Sequence, residues 1–135
     1  GALRDVLSDK PAIEYLDGQP FPKVSPQRTH ALVQSAALVI FRRCAGSRGQ
    51  VGTEWDFRLG VADGTNTFLV PDLAYVSMER LRALSPSDRE QPPFAPDVAI
   101  EVRSPSFREG FAREKIRRYL GTGAILVLDV IRQSG

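Results

Sequence analysis

Two acidic side chains stand where a β-strand calls for apolar ones. Asp72 opens the run Pro71-Asp72-Leu73-Ala74-Tyr75-Val76, and Glu101 lies inside Asp97-Val98-Ala99-Ile100-Glu101-Val102. Burying a carboxylate in such a run is costly unless a partner offsets its charge. Two of them suggest one shared partner, and a divalent cation is the obvious candidate. Hard cations such as Mg²⁺ take oxygen ligands and keep several waters, so one or two carboxylates plus a substrate phosphate are enough to hold them. An ion so placed polarises a phosphoryl oxygen and activates a water. The competing reading is structural: each carboxylate caps a strand end or pairs with a nearby arginine, as in plain ion-pair networks.

A lysine joins the pair. Read as a helix, Ser106 to Gly121 sets Phe111, Lys115 and Tyr119 in an i, i+4, i+8 row. Lys115 then lies between two aromatics at the edge of an apolar face that includes Ala112, Ile116 and Leu120. From there its ammonium can reach back over the sheet to the carboxylates, orient a water or offset charge on a phosphorane-like transition state. The alternative is a snorkelling lysine whose stem covers apolar surface while its head stays in water.

The elements that must position these groups follow from patterning. Asp9 reads as the cap of a short helix from Pro11 to Leu16, ended by Asp17-Gly18. Phe21 to Val24 reads as extended. Ser25-Pro26 reads as an N-cap and first helical residue of a helix running to about Arg43, with Leu32, Val33, Ala36, Ala37, Ile40 and Phe41 at helical spacing. Val51, Thr53, Trp55, Phe57 and Leu59 alternate with polar residues or glycine, which predicts one strand. The turn Asp63-Gly64 joins it to a second run, Thr67 to Val76, in a long hairpin bent or at an edge at Pro71. Residues 77–96 form a connection with one helical turn at Glu79 to Leu84. Strand Val98 to Val102, helix Ser106 to Gly121 and strand Ala124 to Val130 make a parallel βαβ unit. Helix, hairpin and crossover together predict a mixed sheet flanked by helices, α/β (α+β) in class, and not a doubly wound nucleotide-binding fold.

Composition sets outer bounds. At 135 residues the chain accommodates one domain with a real core. An apolar fraction of 42% and a charged fraction of 25% are those of an ordinary globular protein. The 18 Lys and Arg against 16 Asp and Glu give a net charge of +2, which does not by itself imply a nucleic-acid partner. The single cysteine, Cys44, excludes an internal disulfide and a thiolate zinc cluster. No stretch is apolar and long enough to span a membrane, and the N-terminal residues carry no secretory pattern. The expectation is a cytoplasmic protein without a membrane partner.

The strings Pro71-Asp72, Glu101-Val102-Arg103-Ser104-Pro105-Ser106 and Glu114-Lys115 with Tyr119-Leu120 and Gly123 resemble the Uma-type putative restriction endonucleases, formerly a domain of unknown function. That family belongs to the PD-(D/E)-x-K nuclease superfamily. Glu14 before Asp17-Gly18, then Ser25-Pro26 and His30, extends the resemblance over almost the whole chain. It implies one restriction-endonuclease-like domain over residues 1–135, lacking strands that the family carries after the last one here. It also implies that Asp72 and Glu101 are metal ligands for Mg²⁺ (or Mn²⁺), that Lys115 is the catalytic lysine moved from strand to helix, and that Glu14, on the first helix, is an auxiliary acid at the same site. DNA is the implied substrate, and homodimers are common among such proteins. One departure stands out: the superfamily's lysine normally lies two residues after the glutamate, where this chain has Arg103. Arginine stays charged and is no base at neutral pH, though it binds phosphate well.

Other residues weigh less. His30 opens a helix and reads more simply as a capping or surface residue than as a ligand. Glu54 and Asp56 read as solvated, although strand pairing brings Asp56 towards Asp72. Arg113, Arg117 and Arg118 lie on the outer helix face, where they can meet phosphates or only water. Trp55 reads as core and Cys44 as a bystander. Two functions from different classes therefore stand side by side: a Mg²⁺-dependent endonuclease acting on DNA phosphodiesters, and a catalytically inactive module on the same fold that binds nucleic acid or a protein partner. A plain scaffold whose carboxylates pair with arginines is the third.

Overall fold

A computed structural model of the chain describes residues 12–23, 27–60, 66–103 and 108–131. Strands β1 (Ile13–Leu16) and β2 (Gln19–Pro22) come first, followed by helix α1 (Arg28–Ala45). Strands β3 (Gly49–Thr53), β4 (Phe57–Leu59), β5 (Thr67–Leu69) and β6 (Leu73–Ser77) follow. Two short helices, α2 (Met78–Arg82) and α3 (Pro86–Glu90), lead to β7 (Val98–Arg103), helix α4 (Glu109–Gly121) and β8 (Leu126–Ile131). One sheet has the order β2-β1-β5-β4 and the other β3-β6-β7-β8. The second sheet is mixed: β3, β6 and β7 pair antiparallel and β7 pairs β8 in parallel. The expected mixed sheet and parallel crossover are therefore present.

The first element corrects the sequence reading. Ile13 to Leu16 is a strand, not a helix, and it forms a two-residue hairpin with β2, Leu16 facing Gln19. Asp17 and Gly18 both take positive φ, 51° and 82°. That is the turn conformation whose twist matches a tight hairpin, and Asp-Gly is its preferred pair. Asp-Gly closes a hairpin as readily as it ends a helix. What decides is the period of two: Glu14 is buried and Leu16 packs on the core, while Ile13, of the other parity, is exposed. Asp9 and Pro11, the N-cap reading at Ser25-Pro26, the Asp63-Gly64 turn and the Ser104–Ser106 string lie outside the described residues.

The long hairpin holds as pairing but not as one ribbon. β3 pairs β6 from Gly49↔Ser77 to Thr53↔Leu73, and β4 pairs β5 from Phe57↔Leu69 to Leu59↔Thr67, each pair in a different sheet. Both chains leave one sheet for the other at the same level, through Glu54-Trp55-Asp56 on one side and Val70-Pro71-Asp72 on the other. Pro71 has no N–H to continue a ladder, and Glu54 takes a left-handed φ of 53°, which a non-glycine residue adopts only when its surroundings hold it there. This kink presents Asp72 and the Val70 backbone inward.

Two apolar clusters flank the mixed sheet. Phe57, Leu69, Ala74, Val76, Ala99 and Tyr119 join both sheets and α4 on one side. Leu73 and Ile100 meet Ala37, Leu38 and Phe41 of α1 on the other. The alternation along β6 and β7 sends Ala74 and Ala99 one way and Leu73 and Ile100 the other, as a pleated strand requires. Glu101 shares the parity of Ala99 and so faces α4.

Candidate active site

Glu14, Asp72, Glu101 and Lys115 arrive from four different segments and meet. Lys115 Nζ lies 2.7 Å from Glu14 Oε2 and 2.8 Å from Glu101 Oε1. Glu14 Oε2 also accepts the Val70 N–H at 2.9 Å. Asp72 Oδ2 accepts the N–H of Val102, the residue after Glu101, at 2.6 Å. Asp72 is 3% exposed and Lys115 4%, so the lysine is no snorkelling side chain. Phe111 and Tyr119 stand one turn to either side of it, as the i, i+4, i+8 row requires; its Nζ is 5.6 Å from the Phe111 ring centre. Phe111 in turn stacks on Phe21 of β2 at 4.3 Å, fixing α4 against the first hairpin. The Tyr119 hydroxyl donates to Glu101 Oε1 at 3.2 Å. Leu120, by contrast, is half exposed and lies off the packed face.

Three further residues stand at the site: Lys23 and Gln34, which the sequence reading did not pick out, and His30, which it set aside. Lys23, just past β2, donates to Asp72 Oδ1 at 3.1 Å, to the Val70 carbonyl at 2.7 Å and to Glu54 Oε2 at 2.9 Å. His30 places Nε2 3.3 Å from the same Asp72 oxygen. Its Nδ1 is buried without a hydrogen-bond partner among the described residues. His30 is thus neither a cap nor a surface residue. Gln34, one turn on, donates to Glu54 Oε1 at 3.0 Å and to the Asp72 carbonyl at 2.8 Å. Glu54 is therefore tied into the rim of the site and is not merely solvated. Asp56 turns elsewhere and accepts from Gln91 at 2.7 Å.

The expected arginine partners are not there: the cationic partners of these carboxylates are lysines and His30, and neither Asp72 nor Glu101 pairs with an arginine among the described residues. Arg103 takes a different job. It donates to Asp129 at 2.8 Å through Nε and Nη2 and to Glu109 at 3.0 Å through Nη1, clamping β7 to β8 and to the first turn of α4. These contacts, those to Asp129 foremost, hold its pKa above the ordinary arginine value. Arg113 is exposed, and Arg117 lies on the solvent side of α4 paired with Glu114 at 2.8 Å. Arg118 reaches across to Asp17 in the first hairpin turn. Trp55 packs against the core and donates to the Arg89 carbonyl at 3.0 Å, and Cys44 is exposed.

The electrostatics distinguish the acids. Burial pushes the Glu101 carboxyl up to about 7; Lys115 opposes this, while the charges of Asp72 and Glu14 add to it. For Asp72, burial also favours the neutral form, but the Lys23 ammonium, the Val102 N–H and His30 outweigh it and hold the pKa below the usual value. Burial works against the charge on Lys115, yet Glu101 and Glu14 keep its pKa above that of an ordinary lysine. Lys115 is therefore a charged donor at neutral pH and not a base.

Among the described residues, no group of three or more His, Cys, Asp and Glu side chains converges to hold a metal ion unaided. The donor set fits a hydrated hard ion instead: two carboxylates suffice where waters and a phosphate complete the shell. The charge balance agrees. Four carboxylates, of Glu14, Glu54, Asp72 and Glu101, face the two ammoniums of Lys23 and Lys115, with His30 beside Asp72. The raised pKa of Glu101 reflects burial together with this surplus of negative charge. Among the described residues no helix is long and apolar enough to cross a membrane.

The fold has a solved counterpart. A crystal structure from Anabaena variabilis ATCC 29413, described as a putative nuclease belonging to DUF820, superposes with a TM-score of 0.75 at 21% identity. The match covers 94% of this chain and 71% of that one. No curated protein matches the sequence. The sequence model of the Uma2 family, whose description is "Putative restriction endonuclease", matches residues 2–134. The chain belongs to the Uma2 family.

Proposed function

We propose that the chain is a Mg²⁺-dependent (or Mn²⁺-dependent) endonuclease that hydrolyses DNA phosphodiesters, with Asp72 and Glu101 as the metal ligands. The observation that carries this reading is that Glu14 and Glu101 meet at the Lys115 ammonium while Asp72 accepts the N–H of Val102, the residue next to Glu101. Nothing in the packing of a plain α+β core calls for three buried acids at one point, and their shared position suits a phosphoryl-transfer site. When bound, the ion would supply Lewis-acid polarisation of the scissile phosphate and a more acidic water.

The chain's own residues supply the rest. Lys115 stays protonated, so it can donate to a phosphate oxygen or hold the attacking water, offsetting charge that grows in the transition state. Glu14 and Glu101 together position Lys115, and Tyr119 fixes the Glu101 oxygen that Lys115 uses. Glu101 must be ionised to serve as a ligand; burial, which raises its carboxyl to about 7 in the metal-free site, opposes this, and a bound cation would favour it. Arg113 and Arg117, on the solvent side of α4, are positioned for backbone phosphate contacts that would weaken with salt.

The second reading, a module that binds nucleic acid or a protein partner without cutting, draws on Lys115 itself. Two carboxylates already hold its ammonium, and Arg103 cannot stand in for a lysine because it is clamped to Asp129 and Glu109. Incubation of single-stranded, duplex and branched DNA with Mn²⁺ separates the two. Cleavage that disappears in Lys115→Ala supports the endonuclease, and absence of cutting on all three substrates by folded, metal-loaded protein supports the module.

A further inference from the structure

The side chain at the centre of the predicted metal site's rim is one that the proposed chemistry does not use. Lys23 has three N–H donors, and all three find oxygen: Asp72 Oδ1, the Val70 carbonyl and Glu54 Oε2. A lysine this well satisfied, with 15% of its side chain exposed, is ordered and not a mobile surface group. Its pKa lies above the usual lysine value, because Asp72, Glu101, Glu54 and Glu14 together outweigh the cost of its burial. It is thus a fixed positive charge at physiological pH.

Its position sets up a conflict. Asp72 has two oxygens, and Oδ2 is committed to the Val102 N–H. Oδ1 is the oxygen left for a metal, and it is the one that Lys23 holds at 3.1 Å, with His30 Nε2 farther off at 3.3 Å. A divalent ion and an ammonium on one carboxylate oxygen repel each other directly. We propose that Lys23 occupies the cation position at Asp72 in the metal-free protein and must be displaced when a divalent ion binds. This rests on the reading of Asp72 as a metal ligand. Lys23 is then a residue that tunes metal affinity, not a catalytic one.

The surroundings provide a way out. Glu54 is 45% exposed at its side chain, while Asp72 is 4% exposed. The ammonium can keep Glu54 and move towards solvent, giving up Asp72 and the Val70 carbonyl. Gln34 holds Glu54 from the other side and keeps that second station in place. Glu54 itself lies just past β3 with a left-handed φ of 53°, and its carboxylate meets Lys23 at 2.9 Å.

Two measurements test the proposal. In Mn²⁺ calorimetry, Lys23→Met is expected to bind at least about tenfold more tightly than wild type, the usual effect of one neighbouring charge on a buried oxygen. In wild-type protein, amine acylation read by mass spectrometry is expected to label Lys23 faster with saturating Mn²⁺ than without it. The second measurement needs no variant, so it stands if Lys23→Met fails to fold. Unchanged or weaker Mn²⁺ affinity in a folded Lys23→Met, or Lys23 labelling that Mn²⁺ leaves unchanged or slows, overturns the proposal. Asp72→Asn identifies which claim has failed. If it binds Mn²⁺ as wild type does, the metal reading itself falls and this inference with it. If it loses binding while Lys23 stays indifferent, the displacement alone is wrong.

Discussion

Replacing Lys115 with methionine keeps the length of the side chain and removes its charge. In the wild-type fold the ammonium neutralises Glu14, 2% exposed, and Glu101, whose side chain is 12% exposed. Breaking a buried pair by removing one partner costs about 3–5 kcal/mol. Proton uptake limits the loss. A glutamate in an unfolded chain titrates near pH ~4.3, so handing it a proton at pH 7 costs about 3–4 kcal/mol at ~1.4 kcal/mol per pH unit. Burial already raises Glu101 to about 7 in the fold, and losing the Lys115 charge raises it further, so it takes up a proton easily and adds little. The expected loss for Lys115→Met at pH 7 is therefore about 3 kcal/mol. The sign of its pH dependence follows. An acid held protonated by the fold has a raised folded pKa, and its contribution is fully present below the unfolded value and lost as pH rises. The deficit should therefore shrink by ~1.4 kcal/mol for each unit of acidification and nearly vanish around pH ~4.5. Urea unfolding followed by the single tryptophan, Trp55, at several pH values measures it. The double variant Glu14→Gln, Lys115→Met should recover most of the loss at pH 7. A deficit that does not change with pH, or that the double variant leaves whole, would refute the assignment of Lys115 as counter-charge to Glu14 and Glu101.

Metal binding should release a proton. Because Glu101 is raised to about 7, Mn²⁺ titrations at pH 6 in buffers of different ionisation enthalpy should show close to one proton released, and near none at pH 8.5; no release at pH 6 would contradict Glu101 as a ligand. Arg103→Ala removes a partly buried clamp between β7, β8 and α4. Charge-assisted bonds of this kind contribute about 1–2 kcal/mol after discounting for exposure, so urea unfolding should register that loss while any DNA cleavage keeps its Mn²⁺ dependence. Gly18→Ala places a Cβ on a backbone with φ of 82°. It should cost about 1 kcal/mol and lower the melting temperature by a few degrees, with metal affinity intact.

What was legible in the sequence was the chemistry carried by pattern. Glu101 stands out because a buried parallel strand is otherwise β-branched and apolar, and the row Phe111-Lys115-Tyr119 follows from helical geometry alone. Those cues bring Asp72, Glu101 and Lys115 to one place. Asp-Gly at 17–18 served two readings, helix end or hairpin turn, and only the partner strand and the burial of Glu14 decide between them. The continuous alternation from Val51 to Leu59 concealed a break at Glu54, since no residue type there announces a left-handed backbone. Lys23 gave no local signal, because what places it at Asp72 is the return of the first hairpin across the sheet, 49 residues away in sequence; His30 was visible at the helix start but read as a cap, and its approach to Asp72 comes from the seating of α1. Arg103 was readable as a departure from the usual lysine position. Its pairing with Asp129 needed the parallel register of β7 on β8, in which Glu101 faces Asp129 and Arg103 faces Ile131.

Asp72 and Glu101 are the two acids on which the proposed metal site depends. Calorimetric titration of Mn²⁺ into wild-type protein and into the Asp72→Ala, Glu101→Ala double variant tests them together, with circular dichroism confirming that both are folded. Saturable binding by the wild type that is lost in the double variant is the predicted result. Equal weak binding by both proteins would contradict the metal site and the function built on it.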